Sequence, residues 1–509
     1  MVMTLRKAGE RMRVEALLTA IQEGSDKFGG ITHNSKKVQP GYVFVALTGT
    51  IRDGHNYIEE AIKKGAVSLV CEREVSAPIP TYLTDSPRLW LARLSAAIYQ
   101  HPSANQHVIG VTGSNGKTTI TAMIHSFFKE NGIPCGLIGT VENEVNGIRT
   151  PADLTTPEAP DLQRMLSEML AVGTRHVVME VSAQGVDMKR IEGTHFSIGI
   201  FTNLTPDHLD FHESMEAYFE SKKSFMNTLS PNKIGIYNWD DPLVRQAGLA
   251  SRREVFSYSL WNQEADLSIR SLHVSATGSQ FFVKLGSKLH KYDRLIESFP
   301  FQLGLPGTHN VSNALAALLA GILSGLDPLC MRRALKKFDP VIRRMQLHEW
   351  RGVQIVDDTA MNPGSIEAVL TSFQPQNFKR MHIGFAIRGN RGLEVNRENA
   401  RVLADWYNSW KRRKPQIIVT SSEGHVGIND RVSPDEEFVF LETLRKKGVP
   451  HTYYAELPRA IEHLAKTASA GDLVFLLGAQ GMDDGYSILS QTRKIKDLVN
   501  EPSSARIVM

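Results

Sequence analysis

The chain of 509 residues predicts an α/β fold in three domains: a small α/β N-terminal domain, a central parallel-sheet domain and a C-terminal Rossmann-like α/β domain. Three observations predict it. The length suits two to four domains of ordinary size. From about residue 104, β-branched strands alternate with helical stretches, which calls for crossover helices on a parallel sheet. After about residue 338 a second alternation of the same kind begins. The expected divisions are 1–103, 104–337 and 338–509.

In chain order, "GYVFVALTG" (Gly41 to Gly49) has the pattern of a strand, and "YIEEAIKKGA" (Tyr57 to Ala66) that of a helix ended by glycine. "HVIGV" (His107 to Val111) opens the central domain as a β-branched strand. Ile120, Met123, Ile124 and Phe127 then mark one face of a helix that stops at Asn131-Gly132. Further buried-type strands follow at "HVVMEV" (His176 to Val181), "SIGIFTNL" (Ser197 to Leu204) and "KIGIYN" (Lys233 to Asn238). Between about 253 and 303 polar and apolar residues alternate around glycine turns, the mark of a small antiparallel patch. The third domain repeats the strand–helix pattern at "VQIVDD", "RMHIGF", "QIIVTS" and "DLVFLLG", beginning at Val353, Arg380, Gln416 and Asp472.

Composition narrows the function classes. An apolar fraction of 42% and a charged fraction of 22% are those of a globular protein with real cores, and the net charge is only +4. The densest basic run, Lys411-Arg412-Arg413-Lys414, precedes a strand and lacks the aromatic neighbours of a nucleic-acid surface, so no nucleic-acid partner is expected. Cys71, Cys135 and Cys330 are odd in number and far apart, which argues against a disulfide framework or zinc site. The N-terminal stretch has no apolar signal core, and no run approaches the roughly 18 residues of a membrane span. The apolar segment from Asn313 to Leu326 fits a buried helix better. The expectation is a cytoplasmic protein without membrane insertion.

The stretch "VTGSNGKTTI" (Val111 to Ile120) carries the first chemistry. A strand, a glycine loop, Lys-Thr and a helix occur in the order that a phosphate loop requires. Backbone N–H groups of Gly113, Ser114, Asn115 and Gly116 and the helix N-terminus at Lys117, Thr118 and Thr119 would face the anion. Lys117 neutralises charge and the Thr118 hydroxyl can hold Mg²⁺. The usual first glycine of such a loop is replaced by Val111, with Gly110 and Gly113 expected to supply the flexibility. Glu180 ends the strand "HVVMEV", at the carboxyl edge of a parallel sheet where ligands bind. Asp207 and His208 follow the next strand, so a glutamate, a histidine and Thr118 converging there would suit Mg²⁺ shared with phosphate oxygens. A helix cap for Glu180 and a structural role for His208 are the plainer readings.

A larger set of motifs then occurs in order: "TGSNGKTT", "TTPE" (Thr155 to Glu158), "MEVSAQG" (Met179 to Gly185), "FTNLTPDHLDFH" (Phe201 to His212), "YFESK" (Tyr218 to Lys222) and "GTHNVSNALAA" (Gly307 to Ala317). With "HNSKKVQPGYVFVALTG" (His33 to Gly49) and "DGH" (Asp53 to His55), the chain resembles the Mur ligase family, nearest its MurE type. That type joins the third amino acid to UDP-N-acetylmuramoyl-dipeptide. The resemblance is dense to about residue 320 and thin after 350.

It implies a monomeric ATP- and Mg²⁺-dependent ligase in peptidoglycan precursor synthesis, acting on small-molecule substrates. A substrate carboxylate takes the γ-phosphate, and an amino acid's amine attacks the acyl phosphate to give an amide, ADP and phosphate. By the same resemblance Lys117 and Thr118 handle phosphates and the first Mg²⁺, while Glu180 and His208 hold metal. Lys222 corresponds to a lysine carbamylated into a metal ligand; on sequence alone it would pass for a solvated surface lysine. Asn310, Asn313, Arg344 and Asp358 correspond to nucleotide contacts. Thr155, Thr156, Ser182 and Arg190 correspond to muramoyl-peptide contacts, and Ser35 to a uridine contact.

The third domain departs from the pattern. Asp358-Thr359-Ala360-Met361-Asn362-Pro363 stands where the family has Asp-Tyr-Ala-His-x-Pro, so a ring and a histidine are missing. Ser421-Ser422-Glu423-Gly424-His425 stands where the diaminopimelate enzymes carry Asp-Asn-Pro-Arg, so diaminopimelate is not assigned. Arg388 and Arg391, in "IRGNRGLEVNRENARVLADW" (Ile387 to Trp406), could pair with an acyl phosphate or an amino acid's carboxylate, since guanidinium binds such anions bidentately. The alternatives are a ligase of the same type acting on a non-peptidoglycan carboxylate, a simple phosphate-loop kinase or hydrolase, and a silent nucleotide-binding homologue. Nucleotide is expected between the second and third domains, with closure assembling the site.

Overall fold

The computed structural model describes residues 12–24, 28–49, 52–207, 209–212, 214–292, 294–373, 377–411 and 413–492. The side chains of Leu209, Asp210 and Arg294 lie outside that description, as does all of His208. Three sheets form in chain order, in agreement with the expected fold class.

The first sheet has five parallel strands, spatially Met12–Arg13, Thr81–Leu83, Ala66–Cys71, Tyr42–Val45 and Gly30–Thr32. Both of its faces bury apolar side chains, Val43, Val45 and Val70 on one and Phe44, Leu69 and Cys71 on the other. Period-two alternation explains that split, because successive strand residues point to opposite faces.

The central sheet has eleven strands. Its parallel middle runs Leu267–Ser275, Glu254–Ser259, Ile234–Asn238, Ile198–Phe201, His107–Thr112, His176–Glu180 and Cys135–Ile138. Antiparallel strands finish both ends. Gly278–Leu285 and Phe301–Leu303 are the expected antiparallel patch, while the hairpin Glu142–Val145 and Ile148–Pro151 has no clear alternation in the sequence. The helix Thr308–Leu323 is buried along nearly its whole length, as its composition implied. No helix among the described residues is long and apolar enough to cross a membrane.

The third sheet has six strands, ordered Gln346–Trp350, Val353–Asp358, Leu473–Leu477, Met381–Ala386, Gln416–Thr420 and Thr452–Tyr454; all pair in parallel except the first. Helix starts follow local chemistry. Asn362 caps Pro363–Thr371 in a capping box with Ser365, and Ser433 does the same for Pro434–Lys446 with Glu436. The largest apolar cluster runs from beneath the central sheet through Thr308–Leu323 to one face of the third sheet, so the two domains share packed surface.

Candidate active site

The phosphate loop is shaped by two glycines that no other residue could replace without displacement. Gly113 has φ +141°, and a Cβ there would lie 1.9 Å from Thr202 Oγ1. Gly116 has φ +89°, and its Cβ would lie 2.4 Å from Asn313 Oδ1. Gly110 plays a different part from the one expected. It sits inside the strand, where a Cβ would meet the rings of Phe225 and Phe196 at 2.6 and 2.8 Å, so it serves packing rather than flexibility.

Neighbouring strands pin the loop. Ser114 N donates to Asn203 O at 2.9 Å, and Ser114 Oγ accepts from Thr205 N at 3.0 Å. Asn115 N donates to Asn203 Oδ1 at 2.9 Å. Lys117 is the first helical residue and its ammonium turns back over the loop, donating to the carbonyls of Gly113 and Ser114 at 2.9 Å each. Burial pushes its pKa down, against the opposing pull of Glu180 and Asp207. Thr119 follows on the same turn, also on the wall of the cleft.

One strand away, Glu180 ends His176–Glu180 and is 1% exposed. It is no helix cap, since Ser182 caps the next helix through Gly185 N. Its carboxylate accepts from Thr118 Oγ1 at 3.0 Å, from Thr140 N at 2.7 Å and from Thr140 Oγ1 at 2.9 Å. Thr140 was missed by sequence reasoning; its position just past a strand end of the same sheet is the signal that would have found it. Thr155 lines the cleft beside Thr140, with their hydroxyl oxygens 3.1 Å apart. Thr156 does not line it. This residue is fully buried and donates to Glu180 O at 3.0 Å, next to Ser182 Oγ at 3.1 Å, so it acts as a prop for Glu180. Arg190 borders the cleft and is committed to Glu158 (2.9 Å) and to Thr156 O (3.2 Å).

Lys222 is 1% exposed, which excludes the solvated reading. Its Nζ donates to Gly113 O at 2.9 Å and stands 4.3 Å from the centre of the Tyr218 ring. Burial, and next the nearby Lys117 charge, hold its pKa well below the ordinary lysine value. The same burial favours the uncharged amine, the form that can add CO₂.

The third domain closes the cleft. Asp358 ends its strand and accepts from Met345 N at 2.7 Å; burial pushes its carboxyl up to about 6, against the pull of Arg344. Arg344 bonds the Thr359 hydroxyl. Asn310 and Asn313 face this wall from the helix Thr308–Leu323 and bond each other at 3.3 Å. Asn362, unremarked in the sequence, forms a reciprocal amide pair with Asn115 at 2.9 and 3.1 Å and donates to Asp207 at 3.0 Å. Arg388 donates to the other Asp207 oxygen at 2.7 Å. Thr359 and Met361 line the cleft where a ring and a histidine were expected. Arg391 also lines it, tied to Asn390 O at 2.9 Å and 3.5 Å from Asp430. Ser35 lies elsewhere, in the first domain, donating to Glu60 at 2.8 Å.

These groups surround one cleft of about 890 Å³ at the carboxyl edge of the central parallel sheet. Among the described residues no group of three or more His, Cys, Asp or Glu could hold a metal ion. Thr118 and Glu180 nevertheless offer clustered oxygens beside the phosphate loop. That fits Mg²⁺, which takes few protein ligands and fills its shell with phosphate oxygens and water.

Fold and cleft together define an enzyme of the phosphate-loop class whose site is shared by two α/β domains. Comparison narrows the class. Residues 27–99 match the Mur ligase family catalytic domain, 111–321 the Mur ligase middle domain, and 343–480 the Mur ligase glutamate ligase domain. The chain is 32% identical over 479 residues to the UDP-N-acetylmuramoyl-L-alanyl-D-glutamate–2,6-diaminopimelate ligase of Chlorobaculum tepidum, covering 92% of this chain and 89% of that one. Its likeness to the enzyme of the same name from Streptomyces coelicolor is 33% over 498 residues, with coverage of 95% and 93%. The fold matches that of MurF ligase from Thermotoga maritima in complex with ADP, with a TM-score of 0.66, 20% identity, and coverage of 91% and 97%. The chain belongs to the Mur ligase family, and it is an ATP-dependent acid–amino-acid ligase.

Proposed function

We propose that the enzyme activates a carboxylate of a UDP-N-acetylmuramoyl-peptide as an acyl phosphate and couples it to an amino acid. The single observation that supports this best is the Thr118–Glu180 hydrogen bond beside the loop, with the Lys117 ammonium over the same loop. A carboxylate does not react with an amine until its oxygen becomes a leaving group. Bringing it up to a triphosphate gathers anionic charge, which is what convergent cations and backbone N–H groups stabilise.

In this reading Lys117 leaves its loop carbonyls for the β- and γ-phosphates as nucleotide enters. Thr118 and Glu180, with His208, which lies outside the described residues, would hold Mg²⁺, which would supply charge neutralisation at the transferring phosphoryl group. Lys222, its amine having added CO₂ and lost a proton, would offer a carbamate oxygen as a further ligand. Gly113, Ser114, Asn115, Gly116 and Thr119 shape the phosphate cradle, and Asn310, Asn313, Arg344 and Asp358 the rest of the nucleotide site. Thr155, Ser182 and Arg190, with Thr156 behind them, border the acceptor side, and Ser35 belongs to a uridine site in the first domain. Domain divisions at 103/104 and 337/338, a cytoplasmic setting and a monomeric state complete the proposal.

Diaminopimelate, named in the relatives, is not carried over. Ser421 and Ser422 bond Tyr453 and the Gly481 carbonyl, and His425 faces Asp484 at 3.3 Å, so the segment itself brings hydroxyls and an imidazole where those relatives' pattern has an arginine. The test is incubation with ATP, Mg²⁺, UDP-muramoyl-dipeptide and a pool of amino acids. Mass spectrometry should find a product heavier by one aminoacyl residue, and oxygen-18 from the acid should pass into inorganic phosphate. Amide formation without that transfer would overturn the acyl phosphate; ADP release independent of any acid would overturn the ligase reading.

A further inference from the structure

The cleft has two unequal flanks. The strand that feeds the phosphate loop, His107–Thr112, has the Glu180 strand on one side, a single spacing of about 5 Å away. On its other side stand Ile198–Phe201, Ile234–Asn238 and Glu254–Ser259 in turn, so the end of the last is three spacings, about 14 Å, from the loop. In the proposed reading the acceptor substrate takes the first flank, bordered by Thr155, Ser182 and Arg190, which leaves the second for the base of a nucleotide held at the loop by its phosphates. Asn310 and Asn313 belong to the second flank too: Ser312, between them, hydrogen-bonds the hydroxyl of Tyr258 from the far strand.

At the end of that strand stands Trp261, 68% exposed and on the wall of the cleft. A single exposed indole means little by itself. This one is carried on a fixed support inside a concavity. Asp240 accepts from Leu260 N at 2.7 Å and from the Ser259 hydroxyl, and Ser259 Oγ in turn accepts from Trp261 N at 3.0 Å and Asn262 N at 2.7 Å. Among the described cleft residues, the exposed phenyl, phenol or indole rings are Trp261 and Phe211, and Phe211 packs on His212 beside the Lys222 helix, away from the base flank. Among its described residues the third domain offers Thr359 and no ring on the opposite wall.

We propose that Trp261 is the platform on which the nucleotide's purine ring stacks, a specificity-determining contact supplied by the central domain. This rests on the nucleotide-binding reading above. Stacking draws on the π-face of any base, so the platform favours the large purine surface without reading hydrogen-bond pattern.

Calorimetry with ADP on the wild type, W261A and W261F tests it. W261A should bind ADP about tenfold more weakly, within the usual worth of one base–aromatic stack, and W261F should stay within about threefold of wild type. ADP should also quench indole emission in the wild type and lose most of that quenching in W261F, where Trp90, Trp239, Trp350, Trp406 and Trp410 remain. Because the side chain is exposed, neither variant threatens folding. Wild-type binding with an unaffected W261A overturns this inference alone. A wild type that binds neither ADP nor ATP overturns the nucleotide reading, and this one with it.

Discussion

Lys222 shows how differently one residue reads in a string and in a fold. In "YFESKK" nothing separates it from Lys223, yet Lys223 pairs with Glu220 at the surface while Lys222 is enclosed beneath the phosphate loop. The discriminating fact is the distant Gly113 carbonyl, which no local pattern encodes. A buried lysine should cost stability. Its folded pKa lies below the ordinary value of 10.5, so the unfolded chain binds more protons and stability rises with pH between the two values. K222M should therefore melt at a higher temperature than wild type at pH 7, with the advantage shrinking toward pH 10. In the proposed carbamate role of Lys222, the same variant should lose about 10–100-fold in turnover. A lower melting temperature at pH 7 would contradict the account, and differential scanning calorimetry at several pH values decides it.

At the scale of elements, the strand–loop–helix unit was the most legible part of the chain. Its strand, its glycines and Lys-Thr are contiguous, so they stand out without any tertiary contact being known. The division of labour among the glycines was not legible, because it depends on Thr202, Asn313 and the Phe196–Phe225 ring pair, which arrive from elsewhere. G113A should combine backbone strain with collision against Thr202, destabilising the protein by about 2–4 kcal/mol and abolishing ADP binding. Urea melts and calorimetry measure both. The hairpin Glu142–Pro151 escaped the sequence reading because its residues are half-buried or exposed throughout and carry no period-two apolar signal.

At the scale of the whole molecule, Asp207 in the central domain is held by Arg388 and Asn362 from the third, all three nearly buried. The sequence drew attention to Arg388 as a guanidinium in search of an anion; the anion it holds is the protein's own. Removing one partner of a buried pair costs about 3–5 kcal/mol, so R388M should shift the molecule toward an open arrangement. Small-angle scattering with nucleotide and Mg²⁺ should give a larger radius for R388M than for wild type. Turnover should fall at least about tenfold while far-ultraviolet circular dichroism stays the same. Equal radii and equal turnover would deny the pair any part in closure.

The Asn115–Asn362 amide pair has a consequence for how such enzymes can be recombined. A side chain of the phosphate loop is gripped directly by a residue belonging to a different domain. Grafting the last third of a relative onto this chain would thus retune affinity for triphosphate even if every phosphate contact stayed native, unless the graft brought its own asparagine to that spot.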